Sequence, residues 1–347
     1  MWAPVAAASW GVLYAAVEVA WAVTGTAVQW KEDSAYVPGV QLFLAALALL
    51  AGGACLAGTR TIGKFGRVAV ATVLIVALPV FVVGMNGLPI YFVTIATLSG
   101  VESATGLAQV LLNTAGAALL FLVGLSYRRR LRGDCPRCGR PHAGAADGPL
   151  AHPAASRAPR RTRVAVYLLM CGLLPWAGTK TIWTLGGDAL GVAGDDWRRM
   201  AVVGASGPAK ATASAGIDVT VLAAAVGIFL LMGLLYVWGQ VFPRWTLFLS
   251  GRRVPRLLPL IPAWLTGIPL AMYGTVLLIM APLMGAGVLP RAKPDPPFTT
   301  SSGITWFAEF GGLAFAGLGI GLIVAARSYA ARTRPVCASA TATERPK

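Results

Sequence analysis

Eight stretches of predominantly apolar sequence follow one another along this chain, and each is close to the length that crosses a lipid bilayer. A transmembrane helix needs about 20 consecutive apolar residues. We place the spans at residues 4–25, 38–58, 68–92, 104–127, 164–187, 215–239, 257–288 and 302–326. The sequence therefore predicts an all-α integral membrane protein with eight transmembrane helices.

The scarcity of charged residues supports this class. They make up 12% of the 347 residues, and the mean hydropathy is +0.69, whereas soluble domains carry about 25% charged residues. The first basic residue is Lys31, so the first apolar stretch lacks the basic start of a signal peptide and we expect it to be retained as a helix. The five cysteines do not resemble the disulfide framework of a small exported domain.

The net charge of +16 is distributed in a way that sets membrane orientation. Of the 29 Lys and Arg residues, 22 fall in loops and tails on one side of the predicted spans and 6 on the other, while Lys180 lies inside a span. The richer side is expected to be cytoplasmic. This predicts a multi-pass plasma-membrane protein with both termini in the cytoplasm. No nucleic-acid-binding motif accompanies the charges, so the lipid bilayer and not nucleic acid is the expected partner.

The two halves of the chain resemble each other in order. Span 1 matches span 5, span 3 matches span 7, span 4 matches span 8, and span 2 matches span 6 weakly. The matching residues are Tyr14, Trp21 and Gly25 with Trp176, Trp183 and Gly187; Pro79 and Gly84 with Pro269 and Gly274; and Ser126 with Ser328. A four-span unit returns to its starting side, so we predict two parallel four-helix repeats related by an axis along the membrane normal.

This repeat defines the predicted domains. Residues 1–127 form the first four-helix repeat, and residues 164–330 form the second. Residues 128–163 are a cytoplasmic linker between them, and residues 331–347 are a polar tail that we expect to be disordered. Spans 3 and 7 are longer than a bilayer requires and contain prolines. They are either tilted, kinked packing helices or discontinuous helices that line a site.

Two ionisable residues occupy matching places in matching spans. Glu18 shares a helix face with Tyr14 and Trp21, and Lys180 shares one with Trp176 and Trp183. Each lies seven residues before the predicted end of its span, or roughly 10 Å in depth. Because intramembrane charges are costly and usually paired or functional, we predict an intramembrane polar site in which Glu18 and Lys180 face each other. Glu309, about two turns inside span 8, is a third member.

Three interpretations of these charges stay open from the sequence. The pair binds a substrate or ion, or it is a structural ion pair that offsets part of its desolvation cost. Alternatively, Lys180 extends to the headgroups, with Trp21 and Trp183 as interfacial aromatics. The indoles beside Lys180 are also candidate cation–π partners. Other polar residues in or near the spans are Asn86, Glu102, Gln109, Asn113 and Asp218.

The linker contains one motif with metal-ligating residues. Cys135-Pro-Arg-Cys138 is followed by His142 and His152, the two histidines of the chain. Zinc favours tetrahedral thiolate and imidazole ligands, so these four residues are a candidate structural zinc knuckle. A metal-free loop and a redox dithiol are the alternatives, although no thioredoxin-like pattern surrounds the motif.

The absence of several catalytic and nucleotide-binding motifs narrows the range of functions to consider. The sequence has no HExxH, GxSxG or P-loop motif and no histidine in any span. This argues against most membrane-embedded hydrolases, redox proteins and ATP-driven pumps. A cofactor-free membrane enzyme has no positive motif, and structural zinc is the one suggested cofactor. The first hypothesis is a transport or ligand-binding protein with a polar site between the repeats for a small molecule or ion. The alternative is a membrane scaffold or accessory subunit, whose buried charges are structural and whose cytoplasmic loop docks a partner protein.

Overall fold

In a computed structural model of the chain, the structure describes residues 2–31, 34–60, 63–88, 90–91, 95, 101, 103–135, 138–139, 149–203, 210–211, 214 and 219–337. The helices are α1 (Trp2–Thr24), α2 (Pro38–Ala57), α3 (Lys64–Gly84), α4 (Ala104–Arg132), α5 (Arg160–Met170), α6 (Leu173–Thr184), α7 (Gly194–Val203), α8 (Val219–Leu235), α9 (Leu257–Gly285) and α10 (Ser301–Thr333). Two 3₁₀ segments span Val237–Gly239 and Arg244–Leu249. Four short strands, β1 (Gln29–Lys31), β2 (Ser34–Ala35), β3 (Leu150–Ala151) and β4 (Val336–Cys337), form the antiparallel pairs β1–β2 and β3–β4.

The chain forms two compact units. The first comprises residues 1–88, 101–152 and 335–347, and the second comprises residues 89–100 and 153–334. The first unit therefore contains α1 to α4 and both strand pairs, and the second contains α5 to α10.

Seven helical stretches in the described part of the chain are long and apolar enough to cross a membrane. They are α1, α2, α3, α4, the combined stretch of α5 and α6, α9 and α10. The predicted span 215–239 is represented by α8, which is apolar but has 17 residues, a rise of roughly 25 Å. The structure confirms a helical, membrane-type protein and supports seven of the eight predicted spans by length and composition.

Helix α8 ends early because the chain after it turns back. Tyr236 has an extended backbone with φ −111° and ψ 168°. The following Trp238 stacks on Phe229, with ring centroids 4.8 Å apart. The indole also covers Gly233, where an added Cβ would lie 2.8 Å from the ring. The apolar residues predicted to extend the span therefore pack against α8 instead of continuing it.

The predicted span 164–187 is divided into α5 and α6. The break falls at Cys171 and Gly172, four residues before Pro175. Proline has no backbone N–H and cannot donate to the carbonyl of residue 171. The Leu174 N–H donates to that carbonyl instead, over 3.0 Å, so a tighter turn joins the two helices.

The two proline-containing spans differ from each other. Helix α3 ends at Gly84, well before the predicted boundary at residue 92. Helix α9 is continuous over 29 residues with Pro262, Pro269 and Pro282 inside it. A continuous helix with internal prolines therefore describes span 7, while α3 ends within the predicted length of span 3.

Helix packing in the first unit depends on a close approach of α1 and α2. An added Cβ at Gly11 would lie 2.6 Å from the carbonyl oxygen of Ala48, and one at Gly52 would lie 3.1 Å from Ala8. Only a residue without a side chain allows backbones this near. This contact fixes the alignment of the two antiparallel helices. Gly11 lies opposite Ala48, and a residue a given number of positions after Gly11 lies opposite the residue the same number of positions before Ala48.

The order of helix pairing is similar in the two units. In the first, α1 packs on α4, α2 on α3, and α3 on α4. In the second, α5 and α6 pack on α10, α8 on α9, and α9 on α10. The most extensive pair nevertheless differs, being α1 with α2 in one unit and α9 with α10 in the other. The parallel repeat therefore stays a prediction.

Apolar side chains cover the outside of the long helices as well as their packed faces. Val12, Leu50, Ile75, Phe121 and Ile261 are examples from five different helices, and all are exposed. Soluble monomers rarely expose contiguous apolar patches of more than a few hundred Å². These faces are the surface that hydrocarbon would cover in a bilayer.

The predicted linker and tail contain ordered structure. Gln240 holds the backbone of Ser156 with two hydrogen bonds, donating to its carbonyl over 2.7 Å and accepting from its N–H over 3.1 Å. Helix α10 continues to Thr333, and β4 follows it. Residues 331–337 thus include the end of α10 and the strand that pairs with β3; residues 338–347 of the predicted tail lie outside the described part.

The Gly11 contact gives a direct test of α1–α2 packing. We expect Gly11→Leu to lower the free energy of unfolding by about 1–3 kcal/mol, because the side chain must displace the α2 backbone. The measurement is thermal or chemical unfolding in mild detergent. The matched control is Gly53→Leu, since nothing lies within 4 Å of a Cβ at Gly53. Equal effects of the two substitutions would contradict the packing described here.

Candidate functional site

Glu18 lies fully buried in the first unit. It follows Gly11 and Tyr14 on the inner face of α1, and its side chain is 0% exposed. Its Oε1 atom accepts a hydrogen bond of 2.6 Å from Nε2 of Gln109 on α4. The donor is an uncharged amide, and within the described residues of this unit no ion pair accompanies Glu18.

A chain of hydrogen bonds leads from Glu18 to the end of α3. The Gln109 amide also donates to the hydroxyl oxygen of Tyr14 over 2.9 Å, and that hydroxyl donates to Oδ1 of Asn113 over 2.9 Å. Nδ2 of Asn113 then donates to the Gly84 carbonyl over 3.2 Å. An added Cβ at Gly84 would lie 2.4 Å from this amide nitrogen, so the helix end and the network require glycine there.

Three buried polar atoms near this network have no hydrogen-bond partner among the described residues. They are Oε2 of Glu18, Oε1 of Gln109 and Nε2 of Gln41. Gln41 is 2% exposed and lies on the inner face of α2. Glu18 lies seven residues after Gly11, and Gln41 lies seven residues before Ala48. The contact between Gly11 and Ala48 therefore places Gln41 and Glu18 at the same depth in the helix pair. Buried polar groups normally have partners, so this arrangement has the character of a ligand site.

Tyr36 lies close to this site from outside the spans. It precedes α2, and its backbone N–H donates to the Val28 carbonyl over 3.0 Å. Burial and then the nearby Glu18 carboxylate raise the pKa of Tyr36. Glu18 is therefore near the end of the unit where the β1–β2 hairpin joins α1 to α2.

Lys180 lies in a separate environment in the second unit. Its side chain is 6% exposed, and Nζ donates to the Thr220 hydroxyl over 2.8 Å. The ammonium lies 4.9 Å from the ring centroid of Trp176 and 5.0 Å from that of Trp197. Two indole faces and a hydroxyl thus surround the cation, which is the geometry of a cation–π site. A buried ammonium argues against the interpretation in which Lys180 extends to the headgroups.

The aromatic residues predicted beside the two charges have different roles. Trp176 contacts Lys180 as predicted, whereas Trp183 donates from Nε1 to the Ala189 carbonyl over 3.0 Å and packs against Trp197 at 4.3 Å. Tyr14 belongs to the Glu18 network, and Trp21 is half-buried near the end of α1. The cation–π partner that the sequence missed is Trp197, which the short helix α7 brings back over α6.

Glu309 lies on α10 in the second unit and is half-buried. Its Oε2 atom is buried without a hydrogen-bond partner among the described residues. Glu102 and Asp218, the other carboxylates noted near the spans, lie outside the described residues. The pairing of Glu18 with Lys180 stays a prediction, because all contacts described above for each side chain come from its own unit.

A third polar centre lies where the linker meets the C-terminal segment. The sulfur atoms of Cys135, Cys138 and Cys337 lie within 4.8 Å of one another, and all three residues are buried. Burial and then the neighbouring Cys138 and Cys135 raise the pKa of Cys337 to about 11. These residues could bind a metal ion.

The ligand set differs from the predicted one. Cys135 and Cys138 come together as expected, but His152 is exposed and is not part of the cluster. His142 lies outside the described residues. Cys337 takes part because the pairing of β3 with β4 sets it opposite Leu150. It is distant in sequence, and no motif surrounds it, so the sequence carried no signal for this contact.

Two other site residues could be identified from the sequence. Gln109 and Asn113 are polar, four residues apart in an apolar span, and therefore on one helix face. Gln41 stands alone in α2, and its position opposite Glu18 follows only from the packing at Gly11.

Comparison with protein-family models, with curated proteins and with solved structures gives no match to this chain. Functional inference therefore depends on the site chemistry itself.

Double-mutant cycles distinguish local partners from the predicted pair. We expect Glu18→Gln and Gln109→Leu to be coupled by about 0.5–3 kcal/mol, because the side chains share a buried hydrogen bond. Glu18→Gln and Lys180→Met should be additive within about 0.5 kcal/mol if local contacts satisfy each residue. Unfolding in detergent gives both values. Mutual rescue of Glu18→Gln and Lys180→Met would instead establish the pair predicted from the sequence.

Proposed function

We propose that this is a transport-type membrane protein that takes up a proton, or a small cation in its place, at Glu18 in the first unit. The observation that carries the proposal is a fully buried carboxyl with one oxygen bonded to an amide and the other without a hydrogen-bond partner among the described residues. An intramembrane carboxyl is a functional-site candidate in its own right.

The energetics of burial support this role. A charge inside an apolar bundle requires a counter-charge, a bound cation or a proton, since an isolated ion would cost several kcal/mol or more. Gln109 supplies a dipole but no charge. Oε2 of Glu18 and Oε1 of Gln109 are oxygens of the type that bind protons and hard cations, and Gln41 adds a donor on the facing helix.

Two features of the surroundings support proton exchange at Glu18. Tyr36 lies outside the spans and close enough to Glu18 for the carboxylate to affect its pKa. On the other side, Tyr14 and Asn113 continue the hydrogen-bonded chain as far as the Gly84 carbonyl. Chains of ionisable and polar groups are a feature of proton relays in membrane proteins.

The proposal also includes the membrane orientation that the distribution of basic residues predicts. In it, the protein lies in the plasma membrane with both termini and the linker in the cytoplasm. The proposed proton site does not depend on a cavity between the two repeats.

The test uses the full chain reconstituted in liposomes that contain a pH-sensitive dye. Under an imposed membrane potential, we expect proton uptake by the wild-type protein and at least a tenfold loss in Glu18→Gln. Asp195→Asn is the control, because it removes an exposed carboxylate outside the long helices and should leave uptake within about twofold. A hydrophobic carbodiimide should modify Glu18 in the wild type, and sodium ions should slow the reaction if a cation competes.

Proton uptake that does not depend on Glu18 would contradict the proposal. Equal uptake by wild type, Glu18→Gln and protein-free liposomes would remove the transport proposal and leave Glu18 as a structural residue.

A second candidate is the scaffold or accessory role, and the environment of Lys180 favours it. Thr220, Trp176 and Trp197 surround this ammonium at hydrogen-bonding or cation–π distance, so Lys180 can be structural. In this role the linker docks a partner protein, and a structural zinc ion orders it. A wild-type protein without proton uptake that co-purifies with one stoichiometric membrane partner would favour this candidate.

A further inference from the structure

We propose that Cys135, Cys138 and Cys337 form a three-thiolate site for a thiophilic metal ion, with zinc as the ion of choice, and that the metal joins the C-terminal segment to the linker. The inference is independent of Glu18. It replaces the two histidines predicted from the sequence with one cysteine that lies about 200 residues further along the chain.

The spacing of the sulfur atoms supports metal binding. Cys135 Sγ and Cys337 Sγ are 4.0 Å apart, and no pair in the cluster exceeds 4.8 Å. Zn–S bonds of about 2.3 Å in a tetrahedron set neighbouring sulfurs roughly 3.8 Å apart. Small side-chain adjustments therefore suffice to bring the three thiolates onto one ion.

The backbone around the cluster prepares this geometry. Helix α4 ends at Arg132, and the capping residue Gly133, with a φ of 68°, turns the chain towards Cys135. Gly139 has a φ of 63°, and its N–H donates to the Cys135 carbonyl over 2.7 Å. This tight turn brings Cys138 back beside Cys135. A positive φ at both positions favours glycine.

The number of sulfurs favours a metal over a disulfide. A disulfide would use two of the three cysteines and leave the third buried beside it. A thiophilic ion uses all three, and soft thiolate ligands select zinc and copper(I) over harder cations. The fourth zinc position would then be open to water or to a thiolate or imidazole from another molecule.

The bound metal would link two segments that are far apart in sequence, the linker and the C-terminal segment. Two strands of two residues each, β3 and β4, cannot hold the C-terminal segment by themselves. A metal bound to Cys337 as well as to Cys135 and Cys138 would supply the missing attachment energy, as in small domains whose folding depends on zinc.

Cobalt(II) is the spectroscopic probe for this site. The full-length protein is purified in detergent with reductant, depleted of metal with a chelator and titrated with Co²⁺. We expect one equivalent to produce thiolate-to-metal charge-transfer absorption, which Zn²⁺ then removes by displacement. Cys337→Ser should weaken zinc binding by about 100-fold or more, since even outer residues of metal sites affect affinity by about 10–100-fold.

Two control substitutions test whether loss of any cysteine weakens zinc binding and whether a histidine is a ligand in place of Cys337. Cys171→Ser removes an exposed thiol elsewhere in the chain and should leave affinity unchanged. His152→Ala should change it by less than about threefold. A titration that depends on His152 and not on Cys337 would overturn the proposed ligand set.

Alkylation of the wild-type protein provides a test that does not depend on any variant folding. Zinc should slow the modification of Cys135, Cys138 and Cys337 together, measured by peptide mass spectrometry, while Cys171 reacts equally with and without the metal. Absence of the charge-transfer band, unchanged reactivity of Cys337 with zinc, or a disulfide between Cys135 and Cys337 in freshly purified protein would each overturn the proposal.

Discussion

Glu18 can lie inside an apolar helical unit because Gln109 meets it there with a hydrogen bond of 2.6 Å. Hydrocarbon supplies no hydrogen-bond partners, so a polar group within a bundle depends on another protein group, on water or on a ligand. The rest of the first unit follows from this constraint. Tyr14 and Asn113 extend the network, and the Gly84 carbonyl, freed at the end of α3, accepts from Asn113.

The two units accommodate opposite charges by different physical means. An ammonium can be stabilised by aromatic faces, and Lys180 has two of them together with the Thr220 hydroxyl. A carboxyl is not stabilised in this way and needs donors, a cation or a proton. In the described part of the chain, Glu18 Oε1 accepts from Gln109, and Oε2 has no hydrogen-bond partner. This asymmetry is why the proposed function rests on Glu18, while Lys180 fits a structural role.

The segments between and after the helices also obey the rule that buried polar groups need partners. Gln240 satisfies both backbone groups of Ser156, so this part of the linker is ordered without forming a regular element. Cys337 is buried beside two other thiols at the end of a short strand. A metal ion is the simplest group that would make such a three-sulfur contact stabilising.

The sequence alone determined the membrane class, most of the helices, and the positions of Glu18 and Lys180 within them, because hydropathy and charge act locally along the chain. Tertiary structure decided which groups meet those side chains. Gln41 reaches the level of Glu18 through the glycine contact of α1 with α2, Trp197 reaches Lys180 through the fold of α7, and Cys337 joins the linker through strand pairing. These contacts join residues far apart in sequence, and their geometry follows from close packing of whole helices and strands, which no local pattern of residues encodes.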